Sequence, residues 1–202
     1  MSGVLALAAA YLIGGIPFGY LLVRLTTGRD VRESGSGNIG ATNVLRTTSR
    51  SLGIATLLLD IAKGFCAVWL AAALTGSPVW ASAAALAVMV GHAFPAVLRF
   101  RGGKAVASFI GAFLYLAPVA LAVALAVFVL VVWRTRFISL GSICAAAALP
   151  PAVWIVLHPP AAVVVAAAAS ATLIIWRHKE NIARLRQGTE NTFSLRHKGP
   201  KQ

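Results

Sequence analysis

Carboxylates are scarce in this sequence. Five Asp and Glu residues face eighteen Lys and Arg over 202 residues, a formal net charge of +13. On a water-soluble chain such a surplus would point to nucleic acid. Here the basic residues sit in short loops between long apolar runs, the pattern that the positive-inside rule produces, and nucleic acid is set aside as a partner. Cysteine is nearly missing too. Cys66 and Cys144 lie in apolar stretches with no CxxC spacing and no His cluster nearby, which argues against a metal or redox centre and makes them small packing residues. The first apolar run has no basic flank before it and is long enough to stay in a membrane, so it does not read as a secretory signal. No inverted repeat of the transporter kind is visible.

What the sequence has in abundance is apolar length. Hydrophobic residues make up 59% of it and the mean hydropathy is +0.83, so the fold class is all-α, a polytopic membrane protein lying in the lipid bilayer. Apolar runs cover 4–25, 52–74, 79–98, 106–116, 119–133, 138–157 and 161–176. The eleven residues of 106–116 reach only about 16 Å as a helix, short of a hydrocarbon core of about 30 Å. Lys104 before the pair 106–133 and Arg134 and Arg136 after it nevertheless belong on one side, which favours a hairpin of short or tilted helices. About seven transmembrane helices, with the N-terminus outside and the C-terminus cytoplasmic, satisfy every charged loop. Five spans plus a re-entrant segment at 106–133 is the alternative. The chain reads as one domain, 1–202, with a basic cytoplasmic tail at 177–202.

Three polar segments then fall on the same face. The first, Ser34 to Arg46, reads SGSGNIGATNVLR: glycines that allow close backbone approach, hydroxyls and amides from Ser36, Asn38 and Asn43, and the planar donor fork of Arg46. It is either an anion cradle or an inter-helix loop. The second holds His92 and then Gly102-Gly103-Lys104 at the head of an apolar helix, a generic phosphate cradle without the glycine spacing of a Walker A loop. The third, from Arg177, places His178, Asn181 and Arg184 or Leu185 on one helical face, either as part of a site or as an amphipathic surface tail. Asp60 and Lys63, at i and i+3 inside a span, neutralise each other or meet substrate. Ser139 and Ser142 follow a basic turn and cap a helix or reach the site. Glu190 pairs with a basic loop.

The runs Ser36–Arg46 (SGNIGATNVLR), Gly91–Pro95 (GHAFP), Phe100–Lys104 (FRGGK) and His178–Leu185 (HKENIARL) resemble the signature segments of the bacterial acyl-phosphate:glycerol-3-phosphate acyltransferases, the PlsY family. The likeness runs in order over nearly the whole chain. One departure is Ala105, which stands where that family usually has a third glycine. The resemblance implies a multi-pass enzyme of the bacterial plasma membrane with its active site on the cytoplasmic side. It would move a fatty acyl group from acyl phosphate to the 1-hydroxyl of sn-glycerol 3-phosphate, without a cofactor, giving lysophosphatidic acid and phosphate for phospholipid synthesis.

By the same analogy Ser36, Arg46, Lys104, His178 and Asn181 are catalytic. Gly37, Asn38, Asn43, Gly102, Gly103 and Ser142 bind substrate, and Glu190 (with Glu180 the other choice) is structural. The His, four residues, Asp pattern of the soluble-domain glycerolipid acyltransferases follows none of the four histidines. Catalysis by positioning and charge stabilisation is therefore expected, with the donor phosphate or His178 taking the proton. The rival readings are a related membrane acyltransferase with another phosphorylated acceptor and a small-anion transporter.

Overall fold

The computed structural model of the chain describes residues 2–193; the portion of the basic tail from 194 onward lies outside the described residues. Among those described, all regular structure is helical. α1 (Ser2–Gly14) and α2 (Phe18–Thr27) form one apolar run broken at Pro17. After the glycine-rich turn come the short α3 (Ala41–Thr47) and the long α4 (Arg50–Thr75). α5 (Pro78–Ala93) returns, and a turn through Arg99–Lys104 leads into α6 (Val106–Leu116). α7 (Pro118–Thr135), α8 (Ile138–Leu157) and α9 (Ala161–Arg177) follow. α10 (Lys179–Arg186) bends 56° away from α9. Five segments are long and apolar enough to cross a membrane, six if α9 with α10 is counted, and α6 is a shorter apolar helix.

Small residues let these helices approach closely, as expected where lipid supplies no hydrophobic drive between helices. Gly64 of α4 lies against the Ser108 backbone of α6, and Gly111 of α6 against the Ile61 backbone of α4. Gly14 of α1 and Gly91 of α5 face Val88 and Tyr11 in the same way. The core between them is mostly Ala and Val, with Met89, Phe109 and Phe113 as its larger members.

The break between α1 and α2 frees backbone groups that need partners inside an apolar layer. Lys63 supplies one: its Nζ donates to the Ile16 carbonyl at 2.8 Å and pairs with Asp60 Oδ1 at 2.8 Å. Both side chains are buried, and the Phe18 ring lies 5.6 Å from the ammonium. The two intramembrane charges thus neutralise each other and mend a broken helix. Cys66 is exposed on the apolar face of α4 and Cys144 is half-buried in α8.

Candidate active site

A cavity of about 370 Å³ opens where α3, α4, α6, α7, α8 and α10 meet, and its two ends differ in chemistry. Ser36, Asn38, Arg46, Lys104, Asn181 and Glu190, from the turns and the helix ends beside them, line one end; Leu121, Leu125 and Phe128, within the span of α7, line the other.

The first polar segment owes its shape to Asn43, which is buried on α3. Its Oδ1 accepts the Ser36 N–H at 2.9 Å, and its Nδ2 faces the carbonyls of Asn38, Ser34 and Val31 at 2.8, 3.1 and 3.2 Å. The chain turns around this amide with Gly35 and Gly37 at positive φ, 63° and 68°. Asn43 touches the cavity, but its polar atoms are committed to the loop. The loop in turn presents Ser36, whose hydroxyl has no side-chain or backbone partner among the described residues, and Arg46, exposed at the rim.

The second segment is held from two sides. The N–H groups of Gly102 and Gly103 bond to the carbonyls of Ala93 and His92 at 3.2 and 3.1 Å. Their own carbonyls accept from Arg177, Nη2 to Gly102 at 2.9 Å and Nε to Gly103 at 3.0 Å. Neither glycine lines the cavity. A Cβ on Gly103 would strike the His92 ring, and one on Gly102 the His92 carbonyl. The glycines therefore serve close packing, and their N–H groups are not offered to a ligand. The free donors lie one step on: the N–H groups of Lys104, Ala105, Val106 and Ala107, at the head of α6, have no partner among the described residues, and all four residues line the cavity. A helix start with unpartnered N–H groups favours an anion.

Lys104 adds the charge. Its Nζ donates to Asn181 Oδ1. Burial above all, joined by the nearby Arg184 and Arg177 and opposed by Glu190 and Glu180, lowers its pKa to about 8. Asn181, buried on α10, passes its Nδ2 to Glu190 Oε1 at 2.7 Å. Ser139 Oγ donates to the same oxygen at 2.9 Å, and Arg184 Nε pairs with Oε2 at 2.7 Å. Burial pushes the Glu190 carboxyl up, but these bonds from Asn181, Arg184 and Ser139 outweigh it and hold the group below its ordinary value. Glu190 thereby ties the segment after α10 across the mouth, where Asn191 and Phe193 join the wall and the Phe193 N–H bonds the Arg136 carbonyl at 2.7 Å.

Of the residues singled out in the sequence, Ser36, Asn38, Asn43, Arg46, Lys104, Ser142 and Asn181 share this cavity, whereas Gly37, Gly102, Gly103 and His178 do not line it. His178 is buried at the α9–α10 bend with Nδ1 donating to the Ile174 carbonyl at 2.8 Å, so its visible contact fixes the bend. Ser142 lines the cavity while its hydroxyl donates to the Ile138 carbonyl of its own helix at 2.9 Å. Asp60 and His92 also reach the wall. His92 Nδ1 lies 3.2 Å from Ser108 Oγ and 3.7 Å from Asp60 Oδ1. One nitrogen meeting both partners is not the arrangement of a nucleophile relay, which needs one on each side of the ring. Arg177 was missed as a site residue. Its one sequence signal was its place as the first charge after the last span. Among the described residues no group of three or more His, Cys, Asp or Glu is gathered as metal ligands.

A family model described as glycerol-3-phosphate acyltransferase matches residues 4–188. Curated proteins of that name are similar over nearly their full length. One from Syntrophotalea carbinolica is 48% identical, covering 95% of this chain and 98% of its own. Another from Geobacter metallireducens is 52% identical, covering 94% and 97%. Among solved structures, the glycerol 3-phosphate form of PlsY (YgiH), an integral membrane glycerol 3-phosphate acyltransferase, superposes with a TM-score of 0.91 at 34% identity over 96% of both chains. Its lysophosphatidic acid form gives 0.88 at 32% identity, again over 96% of each.

Proposed function

The chain belongs to the glycerol-3-phosphate acyltransferase family, and from that premise we propose how its two-ended cavity carries the reaction. The enzyme acylates glycerol 3-phosphate to lysophosphatidic acid within a membrane. One observation supports the rest: cationic side chains and unpartnered backbone N–H groups crowd one end of a cavity whose other end is apolar. That pairing suits two substrates at once, a small phosphorylated alcohol and a phosphate carrying an acyl chain.

The donor in this reading is acyl phosphate. Lys104 and the N–H groups at the head of α6 hold the phosphate of glycerol 3-phosphate, and Arg46 with Ser36 meets that of the donor at the rim. The acyl chain lies along Leu121, Leu125 and Phe128. The 1-hydroxyl oxygen of glycerol 3-phosphate attacks the acyl carbonyl carbon; the new ester C–O bond forms, the bond to the phosphate oxygen breaks, and phosphate departs. Held in line, the two substrates react without a covalent enzyme intermediate, because phosphate leaves readily. The hydroxyl proton goes to the departing phosphate, since His178 does not line the cavity. Ser36 has no base partner and binds rather than attacks. Charge developing on the carbonyl oxygen is met by donors already in place.

The finer topology belongs to the same proposal. Seven crossings, with α6 as the short one, put the N-terminus outside and the cavity on the cytoplasmic side of a bacterial plasma membrane, and the whole of 1–202 acts as one domain. The support is charge: the basic turns gather at the cavity end, and the turns at Gly76–Ser77 and His158–Pro160 carry no Lys or Arg.

Reconstituted protein supplied with acyl phosphate and glycerol 3-phosphate is expected to release phosphate and lysophosphatidic acid in equal amounts. Acyl-CoA is expected to fail as donor. Turnover with acyl-CoA and none with acyl phosphate overturns the donor assignment, and labelled glycerol phosphate crossing vesicles without acylation favours a transporter.

A further inference from the structure

Arg177 forms no part of the cavity wall, yet it holds more of the Gly102–Lys104 turn than any other side chain. Its guanidinium bridges two successive carbonyls, those of Gly102 and Gly103, at 2.9 and 3.0 Å. The guanidinium is itself fixed, lying 5.3 Å from the Phe94 ring centre and 5.8 Å from that of Trp176. Phe94 is anchored in turn, its carbonyl accepting from the Tyr11 hydroxyl at 2.8 Å.

In a trans peptide the C=O and the following N–H point in opposite directions. The Gly102 carbonyl turned to Arg177 sends the Gly103 N–H to the His92 carbonyl. The Gly103 carbonyl turned to Arg177 sends the Lys104 N–H the other way, where it has no protein partner and Lys104 lines the cavity. The next residue along the α9–α10 unit to touch Lys104 is Asn181, which takes its ammonium. Backbone and side chain of Lys104 are thus both held from the α9–α10 unit. We propose that Arg177 is a positioning residue for the acyl-transfer reaction: by gripping the Gly102 and Gly103 carbonyls it aims the Lys104 amide and ammonium at the acceptor's phosphate. This rests on the reading that Lys104 holds that phosphate.

Lysine in place of arginine keeps the charge and loses the fork that spans two carbonyls. The test compares Arg177→Lys and Arg177→Gln with wild type in detergent-purified enzyme. Hydrogen exchange over residues 99–107 reads the grip directly, and steady-state kinetics with acyl phosphate and glycerol 3-phosphate read its purpose. Both variants are expected to exchange faster across 99–107. Both are expected to raise KM for glycerol 3-phosphate at least tenfold, with KM for acyl phosphate changed less than threefold.

The charged and titratable groups around Lys104 are Arg177, His178, Glu180, Arg184 and Glu190 from α9, α10 and the segment after them, Arg46 from α3, Asp60 from α4 and His92 from α5. Removing the Arg177 charge relieves one repulsion on the Lys104 ammonium. The alkaline limb of kcat/KM is therefore expected to move up in Arg177→Gln and to stay in place in Arg177→Lys, a difference that loss of packing alone would not make. Unchanged exchange in Arg177→Lys overturns the grip. Faster exchange with wild-type KM values overturns its purpose. An alkaline limb in wild type that survives Lys104→Arg unshifted overturns the Lys104 reading instead, and the exchange result stands apart from it.

Discussion

At the scale of single residues, Ala105 shows how closely the site is drawn. It occupies the left-handed region, φ 61° and ψ 11°, at the head of α6 and is 1% exposed. An L-residue there is strained by about 1–2 kcal/mol, which is why glycine is the natural occupant. Ala105→Gly relieves that strain but adds about 0.5–1 kcal/mol of unfolded-chain entropy and forfeits about 0.8 kcal/mol of buried methyl. The terms nearly cancel, so its melting temperature and activity are expected to stay close to wild type. Ala105→Val has no such compensation at positive φ, and activity at least tenfold lower is expected.

Lys104 supplies the second prediction at this scale. Its ammonium is charged below its pKa of about 8 and lost above it. The kcat/KM for glycerol 3-phosphate should fall about tenfold per pH unit beyond that point, since the profile reports the free enzyme. Ser36→Ala, Arg46→Ala and Lys104→Ala should each lower kcat/KM at least tenfold, about 1.4 kcal/mol of transition-state binding. Wild-type rates in all three would remove the site assignment.

Residue types were legible here and their directions were not. Ser36, Arg46 and Lys104 were recognisable as donors from composition alone. Gly102 and Gly103 announced a close approach, but a glycine does not say which of its sides is crowded, and here His92 and Arg177 crowd it rather than a ligand.

Among the elements, α6 carries the burden. It is short, and it lies close against α4 through Gly64 and Gly111. Because Lys104 and the free N–H groups sit at its head, a change further along the helix should be felt at the site. Gly111→Leu drives a side chain into the Ile61 backbone. A lower melting temperature together with at least tenfold loss of kcat/KM is expected, measured on protein that still elutes as a monodisperse species. Full activity would mean that α6 is placed by its loops alone. The sequence disclosed α6 as an apolar run between Lys104 and Ala117, and α10 as a helix bearing Asn181, because both have clear boundaries. It did not disclose α3: seven residues with Thr and Asn among them have little helical propensity, and the helix forms because Asn43 is recruited to organise the turn before it.

For the whole molecule the deciding property is sidedness. The cavity collects the turn before α3, the head of α6, the start of α8 and the segment after α10, so it exists only if all four meet at one surface. Alternation of the spans and the positive-inside rule predict that they do, on the cytoplasmic side. Single cysteines at exposed positions provide the check, in a background where Cys66 and Cys144 are replaced. Arg29→Cys, Arg101→Cys and Arg186→Cys should react with a membrane-impermeant maleimide only after the membrane is opened. Pro78→Cys and Pro160→Cys, at the far ends of α5 and α9, should react in intact cells. Were Arg101→Cys alone to label from outside, α6 would enter from the other surface as a re-entrant element, and Lys104 would be separated from Asn181, the contact on which the phosphate-binding end of the cavity is built.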